Sequence, residues 1–198
     1  MHLVASKVKD AWWTGKIGSA LFLDVQGAFP NTVKSQLIHN MRLCRVPHNY
    51  TKLIETMLTN RKTHLKFDDY VSPLLNINNG TTQGCPLSMV LYAFYNALLV
   101  ETALHKHETT IGFVDDCMYL AIANSLPEAH SVIKDMMEHH GGGFDWSCSH
   151  NSPFELTKLA LMNFPHSHRD AAPPDLTLTC TSDTDLTTEV CSGMCCFY

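Results

Sequence analysis

The run TTIGFVDDCMYLAIA, Thr109 to Ala123, sets an aspartate pair between two apolar stretches. Thr109 to Val114 and Cys117 to Ala123 are each of strand length, and Asp115-Asp116 between them reads as a tight hairpin. Adjacent ionised carboxylates repel and raise each other's pKa. A divalent cation removes that penalty, and Mg²⁺ suits oxygen-only ligands because it keeps waters and substrate phosphates in its shell. Neighbouring side chains of a straight strand point to opposite faces, so even with a turn here one of the two is the better ligand. A lone aspartate pair in a hairpin is most often only a turn, so the case for a metal rests on what surrounds it.

Upstream, Ala20 to Val25 (ALFLDV) is a second apolar run of strand length, with Asp24 near its end. An ionised carboxylate there is costly unless paired or bound to a metal. If this strand lies beside the hairpin, Asp24 and Asp115 form the primary pair, with Asp116 beside them. That arrangement suits two ions about 3.5–4 Å apart, one activating an attacking hydroxyl and the other neutralising a leaving pyrophosphate.

The remaining segments give the frame. Gly27 and Pro30-Asn31 break the chain after the first strand, and Thr32 to Cys44 shows helical spacing through Val33, Leu37, Ile38 and Met41. Pro47 ends that segment, and Tyr50 to Leu58 reads as another helix. Arg61 to Phe67 alternates like a half-buried strand, turning at Asp68-Asp69 into a hairpin partner over Val71 to Ile77. Pro86 to His105 is the longest helix candidate, with Pro86 suited to the first turn. Pro127 to His140 is a helix stopped by Gly141-Gly142-Gly143, and Phe154 to Phe164 is a last strand-like stretch. The order β-α-α-β-β-α-β-β-α-β predicts an α+β domain, an antiparallel sheet with helices packed on one face.

Bulk properties narrow the classes. The 198 residues suffice for one domain with a core, and 45% apolar and 17% charged residues fit a globular chain. No apolar run reaches the roughly 18–20 residues needed to cross a bilayer, and Met1 to Trp13 lacks the apolar region of a secretory signal. The expected location is cytoplasm or nucleus. The net charge of −5 hides an asymmetry: residues 1–110 carry 11 Lys and Arg against 7 Asp and Glu, residues 111–198 carry 3 against 12. The basic excess is N-terminal, where nucleic-acid phosphates would be met, but charge alone favours an ordinary solvated surface. Cys44, Cys85, Cys117 and Cys148 are scattered singly and no CxxC occurs, which argues against a zinc site and for small core thiols. His140-Gly141-Gly142-Gly143 imitates an esterase oxyanion loop, but no GxSxG elbow accompanies it.

Four segments together carry a resemblance. LFLDVQGAF (Leu21 to Phe29) resembles the first palm motif of reverse transcriptases, an Asp followed five residues later by an aromatic. NGTTQGCPLS (Asn79 to Ser88) resembles the second, a QG turn leading into a helix. Phe113-Val114-Asp115-Asp116 resembles the aromatic-x-Asp-Asp signature, with Phe where many relatives have Tyr. Trp146 through Phe164, with Lys158 in FELTKLALMNF, resembles the downstream lysine-bearing motif. Order and separations agree, and the likeness is to non-LTR (LINE-type) retrotransposon enzymes of fungal type, over about residues 3–168.

The resemblance implies a polymerase palm with Asp24, Asp115 and Asp116 as ligands of two Mg²⁺ ions, Mn²⁺ being a possible substitute. Val25 would assist through its carbonyl. Phe29 would lie under the incoming sugar and exclude a 2′-OH. Gln83 and Gly84 would lie near the nascent base pair, and Lys158 would donate a proton to the leaving pyrophosphate. Implied partners are an RNA template, a DNA primer and a dNTP; no membrane is implied, and the oligomeric state stays open. Residues 1–165 are expected to form a partial reverse transcriptase domain, the palm core, with fingers and thumb largely absent. Residues 166–198 are expected to be a loosely ordered tail. Two functions follow: an RNA-directed DNA polymerase fragment, or a catalytically inactive retroelement remnant that at most binds metal or nucleic acid.

Overall fold

A computed structural model describes residues 2–167, 175–182, 185–191 and 193–195. The chain opens with α1 (His2–Trp13) and β1 (Ile17–Asp24), then α2 (Ala28–Asn31), α3 (Lys34–Leu43) and α4 (His48–Met57). Four short strands follow: β2 (Arg61–Thr63), β3 (Lys66–Phe67), β4 (Tyr70–Val71) and β5 (Leu75–Ile77). Next come α5 (Pro86–Tyr95), α6 (Ala97–Val100), β6 (Glu108–Phe113), β7 (Asp116–Ala123), α7 (Leu126–Glu138) and α8 (Gly143–Ser149). A single 3₁₀ turn (Leu156–Lys158) leads into β8 (Ala160–Phe164), followed by β9 (Leu176–Ser182), β10 (Asp185–Cys191) and β11 (Gly193–Cys195).

The main sheet has the order β11-β8-β1-β7-β6, antiparallel except for the β11–β8 edge pair. β1 is its middle strand, which explains why Ala20 and Leu21 are fully buried. Strand side chains alternate between faces, and this sheet uses both. Leu21, Leu23, Cys117, Tyr119 and Ala121 face the large core, which also contains Leu37 and Ile38 of α3, Tyr92 of α5 and Ile133 of α7. Ala20, Phe22, Met118 and Leu120 face the other way and pack with Val4, Val8 and Trp12 of α1. The Trp12 indole N–H donates to the Phe164 carbonyl at 3.2 Å, fastening α1 to β8. The α+β architecture and antiparallel sheet match the sequence expectation. Most helices pack on one face as expected, but α1, whose Val4, Val8, Ala11 and Trp12 recur at helical spacing, covers the other.

Two segments differ from expectation. The stretch from Pro86 is not one helix but α5 and α6, separated at Asn96, and the chain has left the helix by Thr102. Arg61 to Phe67 is two short strands rather than one half-buried strand: β2 pairs with β5 and β3 with β4, and Phe67 and Tyr70 remain exposed. Alternation there reflects two separate ribbons, not one core-facing edge. The expected turn at Asp68-Asp69 is present, with Asp68 at φ +47°. In the 166–198 segment, the described residues include the β9–β10 hairpin and the β11 edge strand, and Leu176 and Leu178 enter the large core. Among the described residues no helix is long and apolar enough to cross a membrane.

Candidate active site

The register of the two central strands sets the site. β1 and β7 run antiparallel with Leu23 opposite Cys117 and Asp24 opposite Asp116. Directly opposed residues project to the same face with Cβ atoms about 4.5–5.5 Å apart. Leu23 and Cys117 turn into the large core, so Asp24 and Asp116 turn to the face that α1 partly covers. There Asp24 is partly exposed and Asp116 exposed. Asp116 is thus the direct cross-strand partner of Asp24. Asp115 occupies the second position of the two-residue β6–β7 loop.

A cation already faces Asp24. Beyond its last residue, β1 continues into a bridge between Val25 and Phe154, flanked by Gln26 N–H to the Pro153 carbonyl (2.9 Å) and Glu155 N–H to the Asp24 carbonyl (2.8 Å). The following 3₁₀ turn swings Lys158 back, and its Nζ donates to Asp24 Oδ2 at 2.5 Å. Asp24 raises the Lys158 pKa, first through this hydrogen bond and then through its charge. The Asp116 carboxyl is likewise held above its ordinary value, first by desolvation, then by the charges of Asp115 and Asp24, with Lys158 opposing them. Because successive carbonyls of extended backbone alternate sides, the Val25 carbonyl points away from the Phe154 segment, toward β7.

The donor set fits a hard dication. It contains three carboxylates and a carbonyl, no soft ligand, and a lysine ammonium standing where a cation would neutralise Asp24. Among the described residues, no three His, Cys, Asp or Glu side chains already converge tightly enough to hold an ion.

The other expected residues flank this centre. Phe29 lies on α2, half-buried, with its ring centroid 5.5 Å from that of Tyr92 on α5. The α2 segment is zipped to the second motif: Gly80 N–H donates to the Thr32 carbonyl and Thr81 N–H to the Phe29 carbonyl, both at 2.7 Å. Gly80 sits at φ +83°, and a Cβ there would lie 2.6 Å from the Pro30 carbonyl oxygen, so only glycine permits the approach. Arg61 clamps the same turn through its guanidinium, donating to the carbonyls of Asn79 (2.9 Å) and Gly80 (2.5 Å). Gln83 and Gly84 are exposed just before α5; Gly84 has φ +83° and open space where a Cβ would be.

Arg61 and Gly80 were not singled out as functional from sequence. An arginine among other basic residues carries no mark of the carbonyls it will clamp, whereas Gly80 was visible as a breaker.

Comparisons with known proteins agree on the fold. No protein-family model matches the chain, and no curated protein does. Solved structures do. Apo telomerase from Candida tropicalis, truncated from its C-terminal domain, superposes with TM-score 0.60 at 10% identity, over 89% of this chain and 37% of that one. Telomerase from the same organism with the TWJ fragment of telomeric RNA gives TM-score 0.61 at 10% identity, over 87% and 30%. Telomerase from Candida albicans with the TWJ fragment gives 0.57 at 12% identity, over 93% and 33%. The chain thus spans about a third of the length of these structures. At such identities the likeness defines the fold, a reverse-transcriptase-like polymerase palm.

Proposed function

We propose that this chain is the palm of an RNA-directed DNA polymerase of non-LTR retrotransposon type, transferring a nucleotide from a dNTP to a primer 3′-OH on an RNA template. The observation that supports it most is the opposition of Asp24 and Asp116 across the central strands, with Asp115 in the adjoining loop and Lys158 on Asp24. Asp24, Asp115 and Asp116 would hold two Mg²⁺ ions, or Mn²⁺ in their place, with the Val25 carbonyl assisting. When bound, such ions activate the attacking hydroxyl and neutralise the leaving pyrophosphate. Lys158, exposed and kept protonated by Asp24, would release that carboxylate on metal binding and hold a proton at Nζ for the pyrophosphate. The Phe29 ring, braced by Tyr92 and by the Gly80–Thr81 zipper, would leave no room for a ribose 2′-OH. Gln83 and Gly84 would border the nascent base pair, where the space beside Gly84 admits close approach. Such an enzyme would work in the cytoplasm or nucleus.

The alternative is a remnant that binds metal or nucleic acid without turnover, favoured by the absence, among the described residues, of three already converged ligands. Primer extension on an RNA template separates the two. The polymerase reading expects Mg²⁺- or Mn²⁺-dependent dNTP incorporation that disappears in Asp115→Asn. No incorporation by well-folded protein with either metal leaves only the remnant, whose nucleic-acid binding would fall steeply with salt.

A further inference from the structure

The loop that carries Asp115 is held in an unfavourable shape. Val114 is its first residue, at φ +58°, and the two-residue β6–β7 connection has positive φ only there. That position of a hairpin loop ordinarily takes glycine, and a β-branched side chain in the left-handed region is a genuine outlier. Such a conformation persists only when its surroundings enforce it.

A neighbouring side chain enforces it. Asn96, at the break between α5 and α6, is 3% exposed. Its side-chain Nδ2 donates to the Val114 carbonyl at 2.5 Å. A carbonyl only accepts, so the amide nitrogen, not its oxygen, must face the loop. The Asn96 Oδ1 is buried with no hydrogen-bond partner. A buried amide that leaves its acceptor unsatisfied costs stability, which makes a purely stabilising role a poor explanation for asparagine here. Its backbone is fully engaged in the helices, N–H to the Tyr92 carbonyl and carbonyl to the Val100 N–H, so the side chain works from a fixed base. α6 also abuts β6: a Cβ on Gly112 would lie 3.1 Å from Val100 Cγ2. The helix break seen at Asn96 therefore puts a rigid donor against the back of the aspartate loop.

We propose that Asn96 is a positioning residue: by holding the Val114 carbonyl it fixes the left-handed loop and presents the Asp115 carboxylate to the dication. The metal half of this assignment rests on the function proposed above. The hairpin half does not.

The test uses the full chain. In the wild type, the Asn96 side-chain amide protons, followed by NMR, exchange slowly with solvent; free exchange overturns the proposal. Mn²⁺ affinity is then compared in wild type, Asn96→Ala, Val114→Gly and the double variant. Asn96→Ala weakens Mn²⁺ binding about tenfold, and adding Val114→Gly, which removes the backbone penalty, recovers most of that loss. A merely structural asparagine gives no such recovery, so equal losses in both backgrounds, or wild-type affinity in Asn96→Ala, overturn it. Should Asn96→Ala not fold, the exchange measurement and the double variant still decide. Absence of Mn²⁺ binding in the wild type with protected Asn96 protons refutes the metal reading while upholding the loop anchor.

Discussion

Lowering the pH should loosen this fold through one histidine. His150, at the end of α8, is 2% exposed and stacks on Trp146 at 4.9 Å. Its Nδ1 lies 3.0 Å from the Trp146 carbonyl and its Nε2 lies 3.1 Å from Asn40 Nδ2. The same Asn40 Nδ2 donates to the Tyr95 carbonyl at 2.9 Å, so it presents hydrogens, and His150 Nε2 must accept. A second proton on the ring would set donor against donor in a buried place. Burial accordingly pushes the His150 pKa from 6.5 down to about 4. The folded pKa lies below the unfolded one, so the unfolded chain binds the proton first. Stability is fully present above pH 6.5 and drains away as pH falls from there toward 4. At pH 5 the loss relative to neutral pH is about 2 kcal/mol, from roughly 1.5 pH units at 1.36 kcal/mol each. For a domain of this size that lowers Tm by about 4–8 °C. Carboxylates also titrate in this range, so the wild type should be compared with His150→Gln in thermal melts at pH 7.5 and 5. The wild type should lose more Tm than the variant by about that amount. An imidazole that titrates at or above 6.5 by NMR, or equal losses in the two proteins, refutes the reasoning.

Gly80→Ala forces a Cβ to within 2.6 Å of the Pro30 carbonyl at a left-handed φ; it should cost at least about 1–2 kcal/mol in urea unfolding, and an unchanged midpoint contradicts the zipper between α2 and the second motif. Lys158→Met removes the charge that opposes the upward shift of the Asp116 pKa, so Asp116 should titrate at still higher pH by NMR with Tm unmoved, because the lysine is exposed. An unchanged or lower Asp116 pKa contradicts the electrostatic picture of the site.

Much of the palm was readable in advance because its signals are local. Apolar runs of strand length around Asp24 and around Asp115-Asp116, and the glycine stop after α7, need only nearest neighbours in the chain. What was not readable depends on partners far away. That Asp24 stands opposite Asp116 is a matter of register, settled by where 91 intervening residues let the strands meet. The break at Asn96 is invisible in an apolar run because asparagine is only mildly unfavourable in a helix. Its carbonyl target, Val114, lies 18 residues on. The spacing of α1 is helical, but Lys7, Lys9 and Asp10 interrupt its apolar residues and blur the signal.

The central claim is that Asp24, Asp115 and Asp116 form one dication site. Its most direct test is Mn²⁺ binding followed by electron paramagnetic resonance in the wild type and in Asp24→Asn, Asp115→Asn and Asp116→Asn. The account predicts saturable binding that Mg²⁺ displaces and that each substitution weakens about tenfold or more. Binding that survives loss of all three carboxylates, or a folded wild type that binds no Mn²⁺, would contradict it.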